Sequence, residues 1–104
     1  MAKTAGINLA YFGRKLDNAD DAIRSASCDY ERCASAENFD SYTKAFTAFK
    51  SEVEALRRAY NGRQITWEES HLLMHFTAIL FNYAESYFKA VGDRQAREAV
   101  RALI

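Results

Sequence analysis

Glu68, His71 and His75 have side chains of the types and at the spacing that could bind a metal ion. On a helix they fall at positions i, i+3 and i+7 and therefore share one face. A glutamate three residues before a histidine is the local form of a di-iron ligand pair, but such a site also needs glutamates from neighbouring helices. The same side of the segment continues with further polar residues: Asn82, Glu85 and Lys89. We expect a solvent-exposed stripe with no bound cofactor, and a carboxylate and histidine metal site remains an alternative.

Two groups of arginines suggest nucleic acid as a second alternative. Their members are Arg57, Arg58 and Arg63 in one group and Arg94, Arg97 and Arg101 in the other. In an antiparallel arrangement the groups lie at opposite ends of one long helix, about 35–40 Å apart at 1.5 Å per residue. The chain has 14 basic and 14 acidic residues, so it has no net charge to attract a polyanion. Nucleic acid is therefore not the expected partner.

Other polar residues admit structural explanations. Asp17, Asp20 and Asp21 are typical of a charged, solvated helix face, and Arg24 is placed to pair with Asp20. An acidic contact surface is the alternative. Cys28 and Cys33, the only cysteines, lie about 140° apart on a common helix and cannot bridge each other there. We expect them to be free, small residues on the core side, as in a reducing compartment.

Enzyme motifs are missing from the sequence. It contains no glycine-rich phosphate loop, no metalloprotease histidine pair and no nucleophile elbow. The first residues lack the apolar run of a secretory signal, and the most apolar segment, 67–88, contains too many polar residues to cross a membrane. We expect a cytoplasmic, non-enzymatic protein without a membrane partner.

The elements that position these residues are helices. Apolar residues recur at alternating spacings of three and four, proline is absent, and the four glycines are widely separated. The sequence predicts an all-α fold: one domain, residues 1–104, forming an antiparallel helical bundle of three long helices plus a short C-terminal helix. The predicted helices span about 4–34, 38–60, 67–91 and 94–103. Ser35 and Thr66 are expected to cap the second and third, although the first two helices could also run on as one.

Helix three has an apolar arc too wide for a single buried face. One seam consists of Leu73, Phe76, Leu80, Tyr83 and Tyr87. A second seam, about 120° further round, has Ser70, Thr77 and Ala84 as small residues between large ones spaced seven apart: Trp67, Met74, Phe81 and Phe88. Either the other helices cover this second seam or it is an interface. We predict that the chain forms a homodimer through this seam. We expect it to be a small protein-interaction module, acting as an inhibitor, an adaptor or a small subunit of a larger assembly. The sequence does not identify its protein partner.

Overall fold

The computed structural model describes residues 9–60 and 65–103, and these form three helices: α1 (Leu9–Arg32), α2 (Ala36–Tyr60) and α3 (Trp67–Leu103). No strand occurs among these residues, which confirms the all-α class. Residues 4–8, predicted to begin helix one, lie outside the described residues, as does Arg63 of the first arginine group.

The break between α1 and α2 is made by local hydrogen bonds. The backbone N–H of Asn38 donates to Ser35 Oγ at 3.0 Å, which confirms that Ser35 caps α2. The side-chain amide of Asn38 donates to the carbonyl oxygen of Cys33 at 2.9 Å. These bonds satisfy backbone groups that the two helix ends leave free, and the first two helices are therefore separate.

α1 and α2 form an antiparallel hairpin. Its open end is marked by an ion pair between Lys15 Nζ and Glu52 Oε2 at 3.5 Å, and near its turn the rings of Tyr30 and Tyr42 are 6.1 Å apart. Between these points small side chains of α1 lie beside large ones of α2, since Ala26 and Phe46 belong to one buried cluster. This alternation allows the two helices to pack closely.

α3 lies along the hairpin, antiparallel to α2. The ring of Phe46 stacks on Tyr87 at 4.5 Å, and Phe49 meets Tyr83 at 5.3 Å and Phe76 at 6.3 Å. The fully buried side chains of the core come from the hairpin: Leu16, Ile23, Phe49, Val53 and Leu56.

The predicted stop at Gly92, and with it the separate fourth helix, is wrong. α3 continues through Gly92 to Leu103 as one helix of 37 residues. A glycine inside a helix costs about 1 kcal/mol relative to alanine, which lowers stability without ending the helix. The following residues favour helix, and Arg94 Nε pairs with Glu98 Oε1 one turn later at 3.6 Å.

Because α3 is longer than the hairpin, the molecule is elongated. Its extents are 70 × 22 × 17 Å and its radius of gyration is 17.3 Å, against about 13 Å for a compact chain of this length. α3 passes the hairpin turn at Arg94, whose guanidinium donates to the carbonyl oxygen of Ala34 at 3.2 Å. Residues 95–103, here called the C-terminal arm, are exposed throughout.

The cysteines do not occupy the core. Cys28 and Cys33 are free, as expected, but both are exposed, so the core-side assignment is wrong. Cys28 lies two residues before the buried Tyr30 and thus on nearly the opposite side of α1, and Cys33 follows the end of the helix. Within the described ranges, no helix is long and apolar enough to span a membrane.

Candidate protein interface

The start of α3 is fixed by a reciprocal capping box, as the sequence predicts. Glu69 N–H donates to Thr66 Oγ1 at 3.1 Å, and Thr66 N–H donates to Glu69 Oε1 at 2.8 Å. Two otherwise free amide groups are satisfied in this way. The box sets the first residue of α3 and with it the direction in which each later side chain of the helix leaves the axis.

The first seam of α3 faces the hairpin. Phe76 and Tyr87 are buried, and Leu73, Leu80 and Tyr83 are partly buried against the same two core clusters. The Tyr87 hydroxyl lies 2.8 Å from Thr43 Oγ1, a hydrogen bond that ties α3 to α2. Packing along this seam leaves the opposite side of α3 turned away from the hairpin.

The second seam of α3 is exposed. Its four large residues have most of their surface in solvent: Trp67 74%, Met74 67%, Phe81 70% and Phe88 62%. Ser70, Thr77 and Ala84, the small residues between them, are half-buried. The hairpin contacts this seam at Phe88, whose ring meets that of Phe46 with 5.9 Å between centroids, but it leaves most of the seam in solvent. A row of four large apolar side chains therefore lies along one side of the helix. We call this side of α3 the outer face.

The outer face extends into the C-terminal arm, although the sequence predicted a separate helix there. At 100° per residue, Gly92 and Ala99 lie within about 20° of Phe81 around the helix axis, and Leu103 within about 40°. All three are exposed, Leu103 by 88%. The sequence predicted a helix break at Gly92, and side chains on two separate helices share no common face. The alignment of Gly92, Ala99 and Leu103 with Phe81 could therefore not be recognised from the sequence.

The metal candidates lie together but do not form a recognisable centre. Glu68, His71 and His75 are exposed and line an open groove of about 240 Å³ with Leu9 and Leu72. The His71 ring stacks on Trp67 with 5.2 Å between centroids. Across the described parts of the chain, no three His, Cys, Asp or Glu side chains are grouped so that they could hold a metal ion. Their exposure agrees with the predicted solvent-facing stripe.

Asp20 is not on a solvated face, which corrects the prediction for the aspartate group. It is only 7% exposed, whereas Asp17 and Asp21 are exposed. One of its carboxylate oxygens accepts a hydrogen bond from the Tyr83 hydroxyl, and the other pairs with Arg24 at 2.7 Å, as predicted. Burial, and then this hydrogen bond, raise the pKa of Tyr83 to about 12. The hydrogen bond between Asp20 and Tyr83 links α1 to α3, and we call it the polar tie.

The described arginines remain in separate groups. Arg57 and Arg58 lie at the end of α2, where their charge complements the helix dipole. Arg94 lies at the other end of the molecule and is engaged with the hairpin turn, its guanidinium 5.8 Å from the Phe39 ring centre. One chain therefore does not present the two groups on a common surface.

A second open groove, of about 390 Å³, lies between α1 and α3 near the hairpin turn. Its lining includes Lys89 and Arg97 but also Glu31 and Asp93, so charges of both signs surround it. Tyr30 lines it too, and its buried hydroxyl has no hydrogen-bond partner in the described structure. This groove could not be predicted from the sequence, because its lining residues come from three different helices.

The outer face of α3 is thus the most prominent unpartnered surface among the described residues. Comparison of the chain with protein-family models, with curated proteins and with solved structures finds no significant match.

Proposed function

We propose that this chain is a non-catalytic protein-interaction module that forms a homodimer through the outer face of α3. The observation that carries the proposal is the exposure of Trp67, Met74, Phe81 and Phe88 in one line on the helix. Soluble monomers rarely leave contiguous apolar patches of more than a few hundred Å² in water, and larger patches usually mark interaction sites.

The size of the outer face supports pairing with a second copy. Each aromatic side chain carries about 150–250 Å² of surface, so the exposed parts of Trp67, Phe81 and Phe88 amount to about 400 Å². Met74 and Leu103 bring the total to about 600 Å², close to the roughly 800 Å² per partner of a stable protein interface. Large residues alternate with the half-buried Ser70, Thr77 and Ala84, and this relief allows two such helices to interlock.

Two roles fit a dimer of this kind: an inhibitor or adaptor that presents two copies of one surface, and a small subunit of a larger assembly. A protein partner is favoured over nucleic acid, because the outer face is apolar and the arginine groups lie apart from one another.

The test is the mass of the protein in solution, measured by light scattering on a sizing column. We expect wild-type chains of 11.8 kDa to run at twice that mass and Met74→Asp with Phe81→Asp to run at 11.8 kDa. The variant should keep its helical circular dichroism, because hydrated carboxylates are tolerated on an exposed surface but not in a buried interface.

The matched control places the same substitutions on the polar side of α3. His75→Asp with Asn82→Asp alters two exposed residues of the same helix and should remain dimeric. A monomeric wild type would overturn the proposal. So would unfolding of the Met74 and Phe81 variant, since it would assign these side chains to the core of the chain.

A further inference from the structure

The two halves of the outer face differ in side-chain size. The first half carries Trp67, Met74, Phe81 and Phe88, whereas beyond Phe88 the same side of the helix has the small residues Gly92 and Ala99 before Leu103. From this asymmetry we infer that the two copies pair antiparallel, with the C-terminal arm of each covering the Trp67 and Met74 end of the other. The inference rests on the proposed homodimer and specifies its geometry.

Packing complementarity favours this direction. In a parallel pair, the four large residues of one copy would meet the same four of the other, while Gly92 and Ala99 would face their own counterparts across a gap. In an antiparallel pair in which Trp67 of each copy lies level with Leu103 of the other, Ala99 falls between the partner's Trp67 and Met74. Gly92 falls between the partner's Met74 and Phe81. Large side chains then fill the space that small ones leave, which two helices need in order to approach to 8–10 Å.

The C-terminal arm supplies a second, independent argument. Its residues 95–103 extend beyond the hairpin and are exposed on every side. A helical extension of nine residues is marginal in water, because most helical stability in proteins comes from packing an apolar face. Antiparallel pairing gives the arm a surface to pack on, whereas parallel pairing sets two thin arms side by side.

Distances between spin labels distinguish the two directions. Labels are attached to Ala102→Cys in the full chain with Cys28→Ser and Cys33→Ser, since both native cysteines are exposed and would otherwise react. Antiparallel pairing places the two labels about 50 Å apart at 1.5 Å per residue. Parallel pairing places them about 10–20 Å apart, the helix spacing plus the label arms. A label at Asn82→Cys, close to the midpoint of α3, is the matched control and should give a short distance in either direction.

The measured label distances and the mass in solution together separate the three possible outcomes. A peak near 50 Å for the Ala102 label supports the inference, and a peak near 10–20 Å overturns it while leaving the homodimer intact. A sample that gives no intermolecular distance at either position and has a monomer mass overturns both the inference and the proposed function. Circular dichroism of the labelled chains checks that the helices are retained.

Discussion

The polar tie between Asp20 and Tyr83 should contribute measurably to the stability of the fold. Tyr83→Phe removes the hydroxyl that donates to a carboxylate only 7% exposed, while the rest of the ring still packs on Phe49. A hydrogen bond to a charged group contributes about 1.5–3 kcal/mol to stability. We therefore expect the variant to lose about 2 kcal/mol of unfolding free energy at pH 7.

The same tie predicts how that loss changes with pH. The pKa of Tyr83 is raised from its ordinary value of 10.0 to about 12, so its protonated hydroxyl is favoured in the folded chain. A raised pKa contributes stability that is fully present below pH 10 and is lost as the pH rises through 12. The stability difference between wild type and Tyr83→Phe should therefore shrink as the pH rises from 10 to 12.

Urea unfolding followed by circular dichroism, at a fixed protein concentration and several pH values, measures this difference. Tyr11→Phe is the matched control, because Tyr11 is also on a helix but is 48% exposed. Its cost should stay within about 0.5 kcal/mol at neutral pH. A Tyr83→Phe variant as stable as wild type at pH 7, or a difference that does not change with pH, would show that the tie contributes nothing to folding.

Three further predictions concern the core, the polar stripe of α3 and the length of α3. Phe46→Ala should cost about 3–5 kcal/mol in urea unfolding, because Phe46 is 6% exposed and stacks on Tyr87, while His71→Ala with His75→Ala should cost less than about 1 kcal/mol. A histidine pair as costly as Phe46 would contradict its assignment to a solvent-exposed stripe. Gly92→Ala should stabilise the chain by about 0.5–1 kcal/mol, since an added Cβ lies within a continuous helix and meets no atom of its own chain within 4 Å. A fall in melting temperature for this variant would argue that the chain bends at Gly92.

Local features of this fold could be predicted from the sequence because they depend on residues close together in the chain. The caps at Ser35 and Thr66 each join a side chain to a backbone group three residues away, so the short motif contains the whole interaction. The second seam of α3 could be defined for the same reason, since helical periodicity fixes the angle between Trp67 and Phe81 without reference to any neighbour.

Which side of a helix meets solvent was decided only by the tertiary structure. Asp20 looked like a member of a solvated acidic group, but α3 places the Tyr83 hydroxyl against it across 63 residues of sequence. Periodicity gives the angle between side chains on one helix, whereas the burial of each side chain depends on where the two other helices lie.

The continuity of α3 through Gly92 was also decided by the tertiary structure. The local cost of glycine, about 1 kcal/mol, favours a stop there but is too small to decide against the contacts on either side. Tyr87 is held in the core before the glycine, and Arg94 donates to the carbonyl oxygen of Ala34 after it. The sequence alone could locate the weak point of the helix, but only these contacts with the hairpin determined that the helix continues past it and carries the outer face on to Leu103.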